Sequence, residues 1–118
     1  MDISGRHEEH GEYLMVAAAV HATVDSARIR SVEGIGFARS RARPTLDATL
    51  AVASEAVDSL PAPPEGPVVA EDGEFYEEPA SIVSLEFEPA FKYIESIAER
   101  ETVQAAHHAA YAARELLV

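Results

Sequence analysis

Five histidines are the side chains of this 118-residue sequence with the widest chemical use, because imidazole binds metal ions and transfers protons near neutral pH. They are His7, His10, His21, His107 and His108. A helix that starts by residue 7 would place the first three on one face together with Asp25. The i, i+4 spacing of His21 and Asp25 also suits chelation of one metal ion. The preferred prediction has no cofactor, and the alternative is a metal site formed by His7, His10, His21 and Asp25.

Catalysis by the remaining polar residues is not predicted. His108 lies seven residues from Glu101 and from Glu115, which is the spacing of an acid–base row on a helix. A polar flank that sets the register between two helices is the preferred interpretation of this row. The serines lie in no Gly-x-Ser-x-Gly or Ser-x-x-Lys pattern, and Gly34-Ile-Gly36 lacks the third glycine of a dinucleotide-binding loop. The expectation is a protein without enzymatic activity.

Charge narrows the classes of partner. Nine basic and 21 acidic residues give a net charge of −12, which repels nucleic-acid phosphates and anionic membranes. Residues 1–43 contain six basic and six acidic side chains, so the rest of the chain carries the whole excess. The absence of cysteine excludes disulfide scaffolds and Cys-ligated zinc. A protein partner is therefore expected, with no direct contact to nucleic acid or membrane.

Two charged clusters are the predicted partner-binding residues. Alternating arginines can grip carboxylates in a bidentate manner, and the acids occupy a segment that lacks basic residues. The predicted set comprises Arg39, Arg41, Arg43, Glu71, Asp72, Glu74, Glu77 and Glu78. The acids between residues 65 and 88 also suggest a further alternative, an inhibitor that imitates nucleic-acid phosphates.

The hydrophobic spacing predicts a single α+β domain over residues 1–118 that is predominantly helical. Three helices are expected at about 8–31, 45–60 and 90–117, with Thr45 as the N-cap of the second. Gly34 and Gly36 are expected to end the first helix. An antiparallel hairpin or meander is expected at about 67–88. An Arg-rich connector (33–43) and a Pro-rich linker (61–67) join the elements.

Small side chains on the last helix predict self-association, because they let a second helix approach closely. The predicted oligomer interface consists of Ala105, Ala109, Ala112, Leu116 and His108. The chain is accordingly expected to be a non-catalytic interaction or assembly protein: an accessory subunit, an antitoxin- or immunity-type protein, or a virion structural protein.

The segment Arg41-Ala-Arg-Pro-Thr-Leu-Asp47 resembles a segment of tailed-phage neck proteins, in which strands precede the helix that it opens. Here a helical pattern precedes it. The N-terminal residues show no secretory signal pattern, so the cytoplasm is the expected location, or a virion if the chain is phage-encoded.

Overall fold

Strands, and not a helix, open the chain. The computed structural model describes residues 1–88 and 90–118. Its elements are β1 (Asp2–Ser4), β2 (Glu8–Glu9), β3 (Glu12–Tyr13), β4 (Met15–Val24), β5 (Ile29–Ser40), α1 (Leu46–Asp58), β6 (Val68–Ala70), α2 (Ala80–Val83), a turn of 3-10 helix (Ser84–Glu86), β7 (Phe91–Tyr93) and α3 (Ile97–Leu117).

A central layer of strands organises these elements. The strands β1, β4 and β5 form an antiparallel sheet in the order β1-β4-β5, and β6 pairs with β7 in parallel. The free side of β1 adjoins β6, because the Met1 amino group donates to the Val69 carbonyl oxygen over 2.8 Å. The layer therefore runs from β5 through β4 and β1 to β6 and β7.

The prediction of a helix over 8–31, followed by a connector over 33–43, is wrong. The structure places the β2–β3 hairpin, β4 and most of β5 there. Alanine favours helices intrinsically, but residues 15–19 of β4 are buried between helices on both sides of the sheet. A strand covered on both sides is a continuous apolar run, and such a run also fits helical spacing.

Gly34 and Gly36 do not stop a helix; they let α1 approach β5. A Cβ atom on Gly36 would lie 2.4 Å from the Ala56 carbonyl oxygen, and one on Gly34 would lie 2.8 Å from Cδ of Pro61. Both distances are shorter than a side chain tolerates, so glycine is required for this contact. The glycines thus fix the C-terminal end of α1 against the edge strand.

The second predicted helix is confirmed as α1. The Thr45 hydroxyl accepts a hydrogen bond from the Ala48 amide over 3.1 Å and caps the helix. The buried α1 side chains, among them Val52 and Ala53, pack on one side of the sheet, called here the α1 side. Three phenylalanine rings, Phe75, Phe87 and Phe91, extend this core, with centroids 5.6 to 6.1 Å apart.

The predicted hairpin over 67–88 is also wrong. In this segment only β6 is a strand. Val83, Leu85 and Phe87 alternate with polar side chains in the pattern of a strand, but α2 and the 3-10 turn occupy residues 80–86. Val83 and Phe87 are buried, whereas Leu85 is 81% exposed. A spacing of four between the two buried residues is helical, so the alternation was misleading.

The last helix is shorter than predicted, and the fold is not predominantly helical. Residues 91–93 form β7, and α3 starts after Ser96, whose hydroxyl accepts from the Glu99 amide in a capping box. Helices account for 35% of the chain and strands for 30%, and the strands come first. In the described part of the chain, no helix has the length and apolar character needed to cross a membrane.

Candidate functional site

A row of exposed apolar side chains lies on β5, the outer strand of the sheet. Val32, Ile35 and Phe37 are 52%, 46% and 45% exposed. Gly34 and Gly36 face the end of α1, and neighbouring residues of a strand point to opposite sides of the sheet. Ile35 and Phe37, which pair with Val20 and Ala18, therefore point to the side on which α3 packs, called here the α3 side. Exposed large apolar groups in a continuous row are typical of a binding surface.

The helix α3 leaves this row uncovered because it is anchored over β1 and β4. Near its C-terminal end, the buried guanidinium of Arg114 donates through Nε to the Leu14 carbonyl oxygen over 2.9 Å. About two turns earlier, His107 Nδ1 lies 3.0 Å from Asp2 Oδ2 of β1. Both contacts hold the helix over β1 and β4, so that it does not extend over β5.

The rotation of α3 aims its alanine flank at the uncovered row. Ala98, Val103, Ala106 and Ala110 are buried against the sheet, and His107 lies on the flank that faces β1. At 100° per residue, the opposite flank therefore faces β5, since β1 and β5 lie on opposite sides of β4. That flank carries the half-buried Ala105 and Ala109 and the exposed Ala112 and Leu116.

The row on β5 and the alanine flank together form one L-shaped apolar surface, called here the β5–α3 surface. It consists of Val32, Ile35, Phe37, Ala105, Ala109, Ala112 and Leu116. Four of the five residues predicted as an oligomer interface lie in it. The fifth, His108, is exposed on the side of α3 that faces solvent.

The predicted arginines border this surface. Arg39 is in β5, two residues beyond Phe37, and Arg41 and Arg43 follow the strand. All three are exposed, and Arg41 Nη1 lies 3.9 Å from Glu12 Oε2. In the described residues they form no ion pair with the predicted acids. Of those acids, Glu71, Asp72 and Glu77 are exposed on the loop after β6.

A buried polar cluster occupies the C-terminal ends of β1 and β6. Glu74 accepts from the Ile3 amide over 2.8 Å, and Arg6 Nη2 lies 3.0 Å from the same carboxylate oxygen. The Arg6 guanidinium also lies over the Tyr76 ring, 5.4 Å from its centroid. Tyr76 and Glu77 have φ angles of 54° and 62°, so this loop is held in a strained conformation.

Burial dominates the electrostatics of this cluster. Desolvation raises the pKa of Asp2, an effect that His107 partly offsets. Desolvation and the neighbouring charge of Asp2 raise the pKa of Glu74, which Arg6 partly offsets. Burial likewise lowers the pKa of the Met1 amino group to about 6. The two carboxylates are bonded to groups of the same chain, so the cluster mainly fastens the loop after β6 to β1.

The alternative metal set is not brought together. His7 and His10 lie at the β2–β3 hairpin, His21 lies in β4, and Asp25 caps the β4–β5 turn by accepting from two backbone amides. The helix that was expected to align them does not form. Among the residues that the structure describes, no three side chains of metal-binding type converge.

Two features were not predicted from the sequence: the Asp2–His107 contact and the row on β5. The first joins residues 105 positions apart and leaves no local signal. The second had a signal, because residues 34–39 read Gly-Ile-Gly-Phe-Ala-Arg and alternate small with large side chains. That alternation is typical of a strand with one close-packed side.

Comparison with known proteins identifies one family, whose description names no function. The family model described as an uncharacterized protein conserved in archaea (DUF2209) matches residues 1–118. The chain therefore belongs to this family, and an archaeal origin is at odds with the virion interpretation. No curated protein and no solved structure shows significant similarity to the chain.

Proposed function

We propose that this member of an archaeal family is a non-catalytic assembly protein whose β5–α3 surface binds a second copy of the chain. The observation that carries the proposal is the row of Val32, Ile35 and Phe37, each close to half exposed on the outer strand. In a two-fold dimer the same surface of both copies forms the interface, so each of these apolar side chains is buried once in each copy.

The shape of the surface supports a helix as the contacting element. The alanines of the flank have short side chains, so a partner helix can approach α3 at the close end of the usual interaxial range, about 8 Å. Such a helix would cover Ile35 and Phe37 at the same time, since they form the floor beside the flank. The partner copy's α3 has the matching alanine flank.

The charge distribution also favours this contact. Two copies with a net charge of −12 repel each other, and the repulsion is weakest where the acidic excess is farthest away. The strand β5 belongs to residues 1–43, which have no net charge. Arg39, Arg41 and Arg43 border the surface and would attract the acidic remainder of the partner copy. They also make the exposed acids at 71–77 candidates for contacts between copies.

Sedimentation velocity and native mass spectrometry of the purified chain test the proposal. The expected result is a dimer at micromolar concentration, with no bound metal. Replacement of Arg39, Arg41 and Arg43 by glutamine should weaken the dimer at low salt, and the difference should shrink at high salt. A chain that stays monomeric at about 100 μM, far above typical working dissociation constants, would contradict the proposal.

A second candidate, a small acid–base enzyme, is favoured by one observation. His107 is half exposed and contacts the buried Asp2, and a carboxylate in this position orients a histidine base.

A screen of ester, phosphate ester and amide substrates tests this candidate, with His107→Gln and His108→Gln as matched variants. Turnover that disappears in His107→Gln and persists in His108→Gln would support an enzyme. The absence of turnover with every substrate would reject it.

A further inference from the structure

A groove of about 470 Å³ interrupts the sheet on the side of β4 away from β5. The β1–β4 ladder covers only Val16 to Ala18, so residues 20–24 of β4 pair with β5 alone in the part of the chain that is described. On the far side of the groove lie Val68 and the linker that precedes it. The groove thus occupies the place in the layer that a longer β1 would fill.

The groove has the hydrogen-bonding character of a strand edge. Residues 20–24 of β4 extend over roughly 17 Å at about 3.4 Å per residue, and alternate residues direct their backbone amides and carbonyls towards the groove, away from β5. The opposite wall includes Pro63, Pro64 and Pro67, which have no amide hydrogen. An entering chain would therefore form its ladder with β4, while the proline wall supplies apolar contact.

The two helices close the groove above and below and give it two different sides. Val57 and Leu60, from the end of α1, line one side, and Glu99 and Thr102, from the start of α3, line the other. Successive side chains of an extended peptide point to opposite sides of a sheet. One set of alternate side chains would meet an apolar wall, and the other would meet Thr102 and the Glu99 carboxylate, which Lys92 contacts within the chain.

We infer that this groove binds an extended segment of a partner protein as an added strand, antiparallel or parallel to β4, in which apolar residues alternate with basic ones. Added strands gain affinity from the main chain and specificity from alternate side chains. The basic residues follow from the exposed Glu65 at the groove and from the net charge of −12, because the Glu99 carboxylate is already paired with Lys92 over 2.9 Å. The inference does not rest on self-association, because the groove lies on the opposite edge of β4 from β5.

Fluorescence polarisation with a labelled Val-Lys-Val-Lys-Val peptide tests the inference. We expect saturable binding below about 1 mM, and binding about tenfold weaker for Val-Glu-Val-Glu-Val. N-methylation of residues 2 and 4, or of residues 1, 3 and 5, separates the two edges of the peptide. One pattern should weaken binding about tenfold or more by removing ladder hydrogen bonds, and the other should be tolerated.

Matched protein variants locate the binding. Ala62→Arg adds bulk and positive charge to the wall of the groove, whereas Ala51→Arg places the same side chain on the exposed side of α1. The first should weaken binding about tenfold, and the second should leave it within about twofold. Phe37→Ser should not change peptide affinity even where it dissociates a dimer.

Three results would overturn the inference: no binding of the lysine peptide at about 1 mM, equal sensitivity to both N-methylation patterns, or unchanged binding by Ala62→Arg. Equal affinity for the glutamate peptide would overturn the assignment of a basic partner.

Discussion

Replacement of Phe37 by serine is the sharpest perturbation of the proposed dimer. Phe37 is 45% exposed, which is about 90 Å² if a phenylalanine presents about 200 Å². At about 25 cal/mol/Å², covering that area stabilises the dimer by about 2.25 kcal/mol for each copy, or about 4.5 kcal/mol for a two-fold pair. Ordering of the two side chains offsets about 0.5–1.5 kcal/mol each. The remaining free energy is what Phe37→Ser should remove, so the dissociation constant of the variant dimer should be roughly ten- to 300-fold higher than that of the wild type.

The same change should leave the monomer folded. The Phe37 side chain lies on the outside of an edge strand, and the strand propensity it loses is about 1 kcal/mol or less. Leu85→Ser is the matched control, because Leu85 is 81% exposed and lies in the 3-10 turn, outside the β5–α3 surface. Its removal should not change the dissociation constant.

Sedimentation velocity over a dilution series of the wild type and of both variants provides the measurement. Equal dissociation constants for the wild type and Phe37→Ser would refute the assignment of the β5–α3 surface as the interface. Equal weakening by Phe37→Ser and Leu85→Ser would refute it as well, because the loss would then reflect general surface hydrophobicity. Far-UV circular dichroism of each variant verifies that the strands are retained.

Three further predictions concern the fold that supports these surfaces. Gly36→Ala should lower the free energy of unfolding by about 1–3 kcal/mol, and more than Gly34→Ala, because its Cβ meets the Ala56 carbonyl oxygen at 2.4 Å; equal effects in urea unfolding would contradict this. Glu74→Gln should gain stability relative to wild type at pH 7.5 and lose this advantage towards pH 5. Burial raises the pKa of Glu74, so its ionised form costs folding energy at high pH and the cost vanishes as the carboxylate is protonated; a relative advantage that grows in acid would contradict it. Ser96→Ala should cost about 1 kcal/mol and lower the melting temperature by about 4 °C, measured by calorimetry, with Ser81→Ala, at an exposed position, as the unaffected control.

Local sequence signals were sufficient to predict the helices that an N-cap residue and a hydrophobic stripe define. Thr45 and the hydrophobic repeat after it located α1 to within two residues at each end, because a cap and an amphipathic stripe are properties of neighbouring residues. The alanine flank of α3 was likewise visible as a helical stripe. Its role remains a proposal, since a stripe does not state what covers it.

The strands could not be read with the same certainty, because alanine-rich β4 satisfies a strand and a helix pattern equally. The packing of the helices decides between the two patterns. With α1 on one side of the sheet and α3 on the other, Ala17 and Ala18 are completely buried, and only small side chains fit there. The glycines of β5 follow from the same constraint, since the end of α1 rests on their backbone. These requirements exist only once the helices are in place.

The sequence by itself determined the net charge of −12, its confinement to residues 44–118, the absence of thiol chemistry, and the helix that begins after Thr45. The tertiary structure alone decided that β5 is an outer strand with Ile35 and Phe37 exposed, that Asp2 meets His107, and that a groove remains beside β4. The physical reason is that composition and caps are local quantities. Exposure, strand pairing and cavities depend on which distant segments fold against each other.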